Sequence, residues 1–203
     1  MEDKTRKKSS YGIQAPKDFL IFGSLAIICL VGFLLIHNWW RFFFLVGLIY
    51  LLYTIISMLI GSTNWYRDKL SKFIVNQSKV RKGSKVLDVG CGSGSLSTAF
   101  SKQIVDGEVW GIDLWKKGDL LGNVPERVLE NIRINGVENV VKVKTADARS
   151  IPFSDNYFDV VASVYVLHNI RPDREKAVYE MIRVLRFGGT LAIADTGILY
   201  WLK

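Results

Sequence analysis

"VLDVGCGSGSLSTAF", residues 86–100, opens as an apolar run broken by one acid, turns through glycines at 90, 92 and 94, and continues in small and apolar residues. The stretch 85–89 is short, valine-rich and ended by glycine, which predicts a buried strand. Glycines at alternate positions permit left-handed backbone and remove each Cβ that would hold a ligand away from the main chain. A strand, a turn without side chains and a helix therefore follow one another, with Asp88 two residues before the first glycine.

Working outward, further β-rich runs occur at 109–114, 140–145, 158–164 and 190–194, mostly separated by enough chain for a crossover helix. The pattern predicts an α/β domain with a doubly wound, mostly parallel, Rossmann-like sheet, whose ligands sit at the carboxyl ends of the strands. Asp88, Asp113 and Asp147 stand at or just beyond three such ends. A dinucleotide fingerprint would want glycines as GxGxxG. Here Gly94 comes one residue early and Ser95 takes the last place. A carboxylate at Asp88 also suits an ammonium group better than a pyrophosphate. A nicotinamide-dependent oxidoreductase is the alternative from another class.

Residues 88–94, DVGCGSG, resemble the acid-x-Gly-x-Gly-x-Gly signature of class I S-adenosylmethionine-dependent methyltransferases. "DARSIPFSDNYFDVVASVYVLHNI" (147–170) and "EMIRVLRFGGTLAIAD" (180–195) are similar to the type 11 methyltransferase domain of the ubiquinone/menaquinone biosynthesis enzymes. The resemblance runs from about residue 79 to Asp195 and implies S-adenosylmethionine as cofactor. It places Asp88 near the methionine end of that cofactor, with the backbone of Gly90, Cys91, Gly92 and Gly94 beneath it. Asp113 would receive the ribose hydroxyls, and Leu114 and Trp115 would cover one adenine face. Asp147 would accept from the adenine amine while the Ala148 amide donates to the ring. An acceptor would lie against Tyr165, His168 and Asn169 and the helix before the first strand, with His168 the candidate catalytic proton acceptor. The plainer readings are a helix cap for Asp113, a turn-forming role for Asp147 and a packing role for His168.

Two departures stand out. Phe187 occupies a position where many relatives carry proline. After Asp195 only residues 196–203 remain, so the two further strands usual in the family are expected to be missing. The fifth strand would then be an edge to be covered by the tail ILYWL (198–202), by the membrane or by a second copy in a homo-oligomer.

The first third of the chain has another character. Between Asp18 and Arg67 the only formally charged side chain is Arg41, which divides two apolar runs, 19–36 and 42–60. Each approaches the roughly 20 helical residues that cross a bilayer. The expected organisation is a basic tail (1–18), a two-helix transmembrane hairpin (19–60), a juxtamembrane amphipathic helix (61–78) with Leu70, Phe73, Ile74 and Gln77 on one face, and the methyltransferase domain (79–203). Lys4, Arg6, Lys7, Lys8 and Lys17 precede the hairpin and Arg67, Lys69 and Lys72 follow it, so both termini and the domain are expected on the cytoplasmic side. Trp65 and Tyr66 are expected at headgroup level. The net charge of +8 is thus assigned to an anionic membrane surface and not to nucleic acid. Two cysteines, Cys29 and Cys91, provide neither a disulfide framework nor a metal site. The hairpin favours a small lipophilic acceptor. A soluble acceptor, or cofactor binding without catalysis, are the alternatives.

Overall fold

The computed structural model describes residues 9–12, 16–116, 120–195 and 198–202; Lys4, Arg6, Lys7 and Lys8 of the basic tail lie outside them. Six strands form one sheet: β1 (Lys85–Val89), β2 (Glu108–Asp113), β3 (Val141–Thr145), β4 (Phe158–Val164), β5 (Leu185–Asp195) and β6 (Ile198–Leu202). Their order is β3-β2-β1-β4-β5-β6, parallel except for β6 against β5. The chain runs outward from β1 to β3 and returns to β4 on the other side of β1. Strand order therefore reverses between β1 and β4, where such sheets open a crevice.

Alternation along β1 places its side chains. Val86 joins a core cluster with Ile74, Phe100, Val109 and Ile132, whereas Leu87 and Val89 join a second one with Ile112, Phe158 and Met181. With a period of two, Asp88 shares the face of Val86. Helix α4 (Ser95–Ser101) covers that face, and its Ser97 Oγ donates to Asp88 Oδ2 at 2.6 Å.

The fifth strand starts at Leu185, five residues before the expected start at Thr190. Gly188 and Gly189 lie inside it at an irregularity of the β4–β5 register, and a Cβ on Gly189 would stand 2.8 Å from the Asp159 carbonyl oxygen. The glycines mark a break in a long strand where a turn was expected. The sheet also corrects the expected absence of terminal strands. Residues 198–202, the tail named above as one cover for the fifth strand, supply one, β6, in antiparallel register from Asp195↔Ile198 to Leu191↔Leu202. Ile-Leu-Tyr-Trp-Leu is a β-favouring run, and the open side of β5 offers it a row of unpaired backbone groups.

Helices α1 (Pro16–Leu35) and α2 (Arg41–Gly61) pack against each other, and α3 (Asn64–Gln77) follows directly. The apolar stretches Lys17–Leu35 and Arg41–Gly61 are long enough to cross a membrane, and only 6% of each is buried within the protein. Thr63 caps α3, its oxygen accepting the Tyr66 N–H at 3.2 Å, so the helix falls within the expected 61–78 and starts three residues into it. Its buried face is Ser71, Ile74 and Val75, while Phe73 is exposed. Trp65 is 66% exposed, but Tyr66 turns inward, which corrects its placement at the headgroups.

Residues 9–12 lie across the domain. The side chain of Asn131, on α5 (Pro125–Asn135), accepts the Ser10 N–H at 3.1 Å and donates to the carbonyl oxygens of Ser10 and Ser93, both at 2.9 Å. Asn135 donates to Ser9 Oγ and Asn64 to the Ser9 carbonyl.

Phe100 is fully buried between α4 and the sheet, whereas Phe187 is fully exposed. Phe100→Ala is expected to lower stability by about 3–5 kcal/mol in denaturant unfolding. Phe187→Ala is expected to stay within about 0.5 kcal/mol.

Candidate functional site

A cavity opens at the β1–β4 switch point. In sheet order its wall takes Asp147 and Ala148 from beyond β3, Asp113 and Leu114 from the end of β2, the turn 90–93 from β1, and Tyr165 and Val166 from β4. Arg67, Leu70 and Ser71 of α3 line it as well, together with Asn123, Arg149 and Asn169.

The turn has the shape its glycines allow. Gly90, Gly92 and Gly94 have φ of +74°, +49° and +81°. A Cβ on Gly90 would lie 2.1 Å from Val166 Cγ2, so the β1 turn and the loop after β4 touch only because Gly90 has no side chain. Gly92 would meet only Leu120 Cδ2, at 3.4 Å, leaving its surface open to the cavity. Cys91 turns away toward β2, where a Cβ on Gly111 would come 2.8 Å from its sulfur. Burial and the nearby Asp88 and Asp113 push its thiol well up, so it remains protonated and inert.

Asp113 holds this turn. Its Oδ2 accepts the Gly92 N–H at 2.9 Å, and its Oδ1 accepts the Trp115 N–H at 2.7 Å and Asn123 Nδ2 at 3.3 Å. A carboxylate has about four acceptor sites, so capacity remains for a ligand hydroxyl. Asp147 forms a comparable turn: its Oδ1 accepts the Arg149 N–H at 2.9 Å and its Oδ2 accepts Arg149 Nη2 at 2.6 Å. The Arg149 hydrogen bonds hold the Asp147 carboxyl below its usual value. Neither aspartate caps a helix, and in both the turn role coexists with a place on the cavity wall. Asp88 differs. Burial pushes it up to about 7, against the lowering effect of Ser97.

Three expected residues do not line the cavity. A Cβ on Gly94 would stand 2.8 Å from Val128 Cγ2, facing α5. Trp115 takes φ +55° and sends Nε1 to Thr145 Oγ1 at 2.8 Å, packing against the core, so it does not face an adenine beside Leu114. His168 is held by Asp195, with Nδ1 2.6 Å from Oδ1 and its N–H donated to Oδ2 at 3.0 Å, and it too is off the wall. Trp115 and His168 change the reading of the site, since a side chain tied elsewhere is not placed to touch a bound ligand. Asn123 and Arg149 are cavity residues without a motif to reveal them, whereas Arg67, Leu70 and Ser71 belong to the helix before β1 that was expected at the acceptor side.

Comparison with known proteins agrees with this geometry. Residues 87–193 match the family described as Methyltransferase domain, and the chain belongs to it. It is 36% identical over 129 residues to the ubiquinone/menaquinone biosynthesis C-methyltransferase UbiE of Neisseria meningitidis, covering 63% of this chain and 49% of that protein. With UbiE of Paraburkholderia phytofirmans it shares 40% over 124 residues, covering 61% and 47%. The chain thus spans about half the length of the curated relatives it matches. Among solved structures, the YcgJ protein of Bacillus subtilis is similar at 31% identity and TM-score 0.55, covering 63% of this chain and 50% of that one. A SAM-dependent methyltransferase from Aquifex aeolicus is similar at 27% and 0.52, covering 62% and 63%. The [4+2]-cyclase SpnF is similar at 25% and 0.57, covering 66% and 47%.

The family and these neighbours imply S-adenosylmethionine as the cofactor, and the residues present fit it. Gly92 leaves the backbone bare, Asp113 retains acceptor capacity, and Leu114 and Ala148 provide apolar contact. Gly90→Ala is expected to weaken S-adenosylhomocysteine binding at least about tenfold by calorimetry, because strain and overlap displace the turn. The value for Asp88 sets a pH dependence. Its folded value of about 7 lies above the roughly 3.9 of an unfolded chain, so the fold holds the proton more tightly. That stabilisation is complete below about pH 4 and lost as pH rises through about 7. The ligand-free melting temperature is expected to fall between about pH 5 and 8, and Asp88→Asn to flatten the slope.

Proposed function

We propose that the chain is a membrane-anchored enzyme that methylates a small lipophilic acceptor with S-adenosylmethionine. The observation that carries this reading is the continuity between hairpin and site: α2 ends at Gly61, α3 begins at Asn64, and Arg67, Leu70 and Ser71 of α3 line the cavity. An acceptor dissolved in the bilayer has little distance to travel. Apolar side chains such as Leu20, Ile27, Phe42 and Tyr53 stay exposed along both hairpin helices, as a lipid environment demands and a soluble core does not. Lys17 in the first turn of α1 and Lys69 and Lys72 after α2, against Arg41 at the start of α2, favour a cytoplasmic domain. The relatives' names refer to ubiquinone and menaquinone biosynthesis, which favours a quinone-type ring acceptor.

When bound, S-adenosylmethionine supplies an electrophilic methyl group on a sulfonium. The chain's own residues bind, orient and exclude water. Asp113 and the glycine turn fix the nucleoside, Tyr165 and Asn169 face the acceptor, and Leu70 and Val166 keep that part of the cavity apolar. Burial and the neighbouring Tyr66 push the Tyr165 phenol up, so Tyr165 donates hydrogen bonds and does not serve as a base. His168, tied to Asp195 off the wall, is assigned no proton transfer.

Incubation of the full chain with labelled S-adenosylmethionine and total membrane lipid is expected to label a lipid fraction. Label confined to a soluble metabolite, to protein or to RNA would overturn the acceptor reading, and cofactor binding with no label would leave a binding protein. Asp113→Ala is expected to weaken cofactor binding by about 1–3 kcal/mol, from the lost hydroxyl partner and the loosened Gly92 amide.

A further inference from the structure

The turn at residues 120–124 has two faces. Leu120 and Asn123 are buried at the cavity wall, whereas Leu121, 52% exposed, and Val124 are left in solvent. Hydrogen bonds fix that arrangement. The Asn123 N–H donates to the Leu120 carbonyl oxygen at 3.0 Å, Asn123 Nδ2 to Asp113 Oδ1 at 3.3 Å, and Arg127 Nη1 to the Leu121 carbonyl oxygen at 2.8 Å. A turn tied in this way keeps its outward apolar pair outward, so the exposure belongs to the fold.

The place of the turn follows from chain length. Gly12 lies against it, since a Cβ there would stand 2.6 Å from the Leu121 carbonyl oxygen. Helix α1 begins at Pro16, four residues further on, and four residues span at most about 14 Å. The point where α1 enters a bilayer is therefore no further than that from Gly12. At the other end of the hairpin, α2 stops at Gly61, and Asn64 Nδ2 donates to the carbonyl oxygen of Ser9 at 3.0 Å. Residues 9–12 thus connect both ends of the hairpin to the turn. On the α3 side of this strap Trp65 is 66% exposed, with Lys69 Nζ 5.0 Å from its ring; on the α5 side stand Leu121 and Val124. The same two sides wall the cavity, through Leu70 and Ser71 of α3 and through Leu120 and Asn123.

We infer that Leu121 and Val124 insert into the interfacial layer of the bilayer, so that the turn 120–124 is a second membrane contact that seats the cavity on the lipid surface. The inference rests on the membrane-anchored reading above. An apolar pair held rigidly beside a bilayer-crossing helix is covered by the lipid already there, and binding of this kind grows with the apolar area buried.

The test uses the full chain in phosphatidylcholine vesicles that contain spin-labelled lipid. An environment-sensitive fluorophore is attached in turn to Leu20→Cys on α1, to Leu121→Cys, and to Phe187→Cys at the amino-terminal start of β5, each with Cys29→Ser; Cys91 is buried and stays unlabelled. Lipid quenching is expected at Leu20 and, to at least about half that extent, at Leu121, but not at Phe187. Val124→Asp places a charge on the same face at the N-cap of α5, where aspartate is favoured and folding is retained. It is expected to reduce quenching at Leu121 at least about twofold, whereas Val124→Leu preserves it. Quenching at Leu20 without quenching at Leu121 overturns the proposal and leaves the anchor standing. A blue-shifted but unquenched probe at Leu121 overturns it too, because the cover is then protein, such as a second copy. Full quenching in Val124→Asp, or equal quenching at Phe187, also overturns it, since the fluorophore or general adsorption then drives the contact. No quenching at Leu20 brings down the anchored reading itself, a failure distinct from that of the turn.

Discussion

The bond from the Gly92 amide to the Asp113 carboxylate, 2.9 Å long, joins the end of β2 to the turn that follows β1. It spans two adjacent parallel strands and, with the Gly90 and Cys91 amides donated to the Ile112 carbonyl oxygen, fixes the glycine-rich segment against β2. With the turn so braced, Gly90 can lie against Val166, and β4 closes on β1 at the point where strand order reverses. The cavity is the space this arrangement leaves. Asp113 is therefore both a wall residue and the brace of its neighbour, and a substitution there disturbs two things at once.

Much of this was legible from spacing. Three acids at three strand ends and glycines at 90, 92 and 94 identify the ligand side of the sheet, because strand period and backbone freedom are local properties. What escaped was decided by partners distant in sequence. Trp115 follows an acid and looks available to a ring, yet its positive φ and its bond to Thr145 turn it to the core. Arg67 stands among juxtamembrane cations and reads as one of them, but the fold of α3 carries it into the cavity. Gly111 resembles any strand glycine until Cys91 is placed against it.

The family constrains the chemistry more than the fold does. A sheet of this kind also serves the [4+2]-cyclase SpnF, so architecture alone does not dictate a reaction. The distinguishing content lies in which groups are ionised at the wall. Here an inert thiol and a neutral phenol at the wall take no part in acid–base work, which suits a transfer whose difficulty is alignment.

The segment preceding α1 carries a practical lesson for anyone trimming this molecule. Asn131 is 2% exposed, and two of its three amide bonds reach back to Ser10, on the far side of the hairpin in sequence. Excising the greasy helices to obtain a water-soluble version, with a start near residue 62, would strip those bonds and strand a polar group in the interior at a penalty of about 1–3 kcal/mol. A shortened gene that keeps residues 9–12, joined by a flexible bridge to Ser62, would retain what a simple truncation discards.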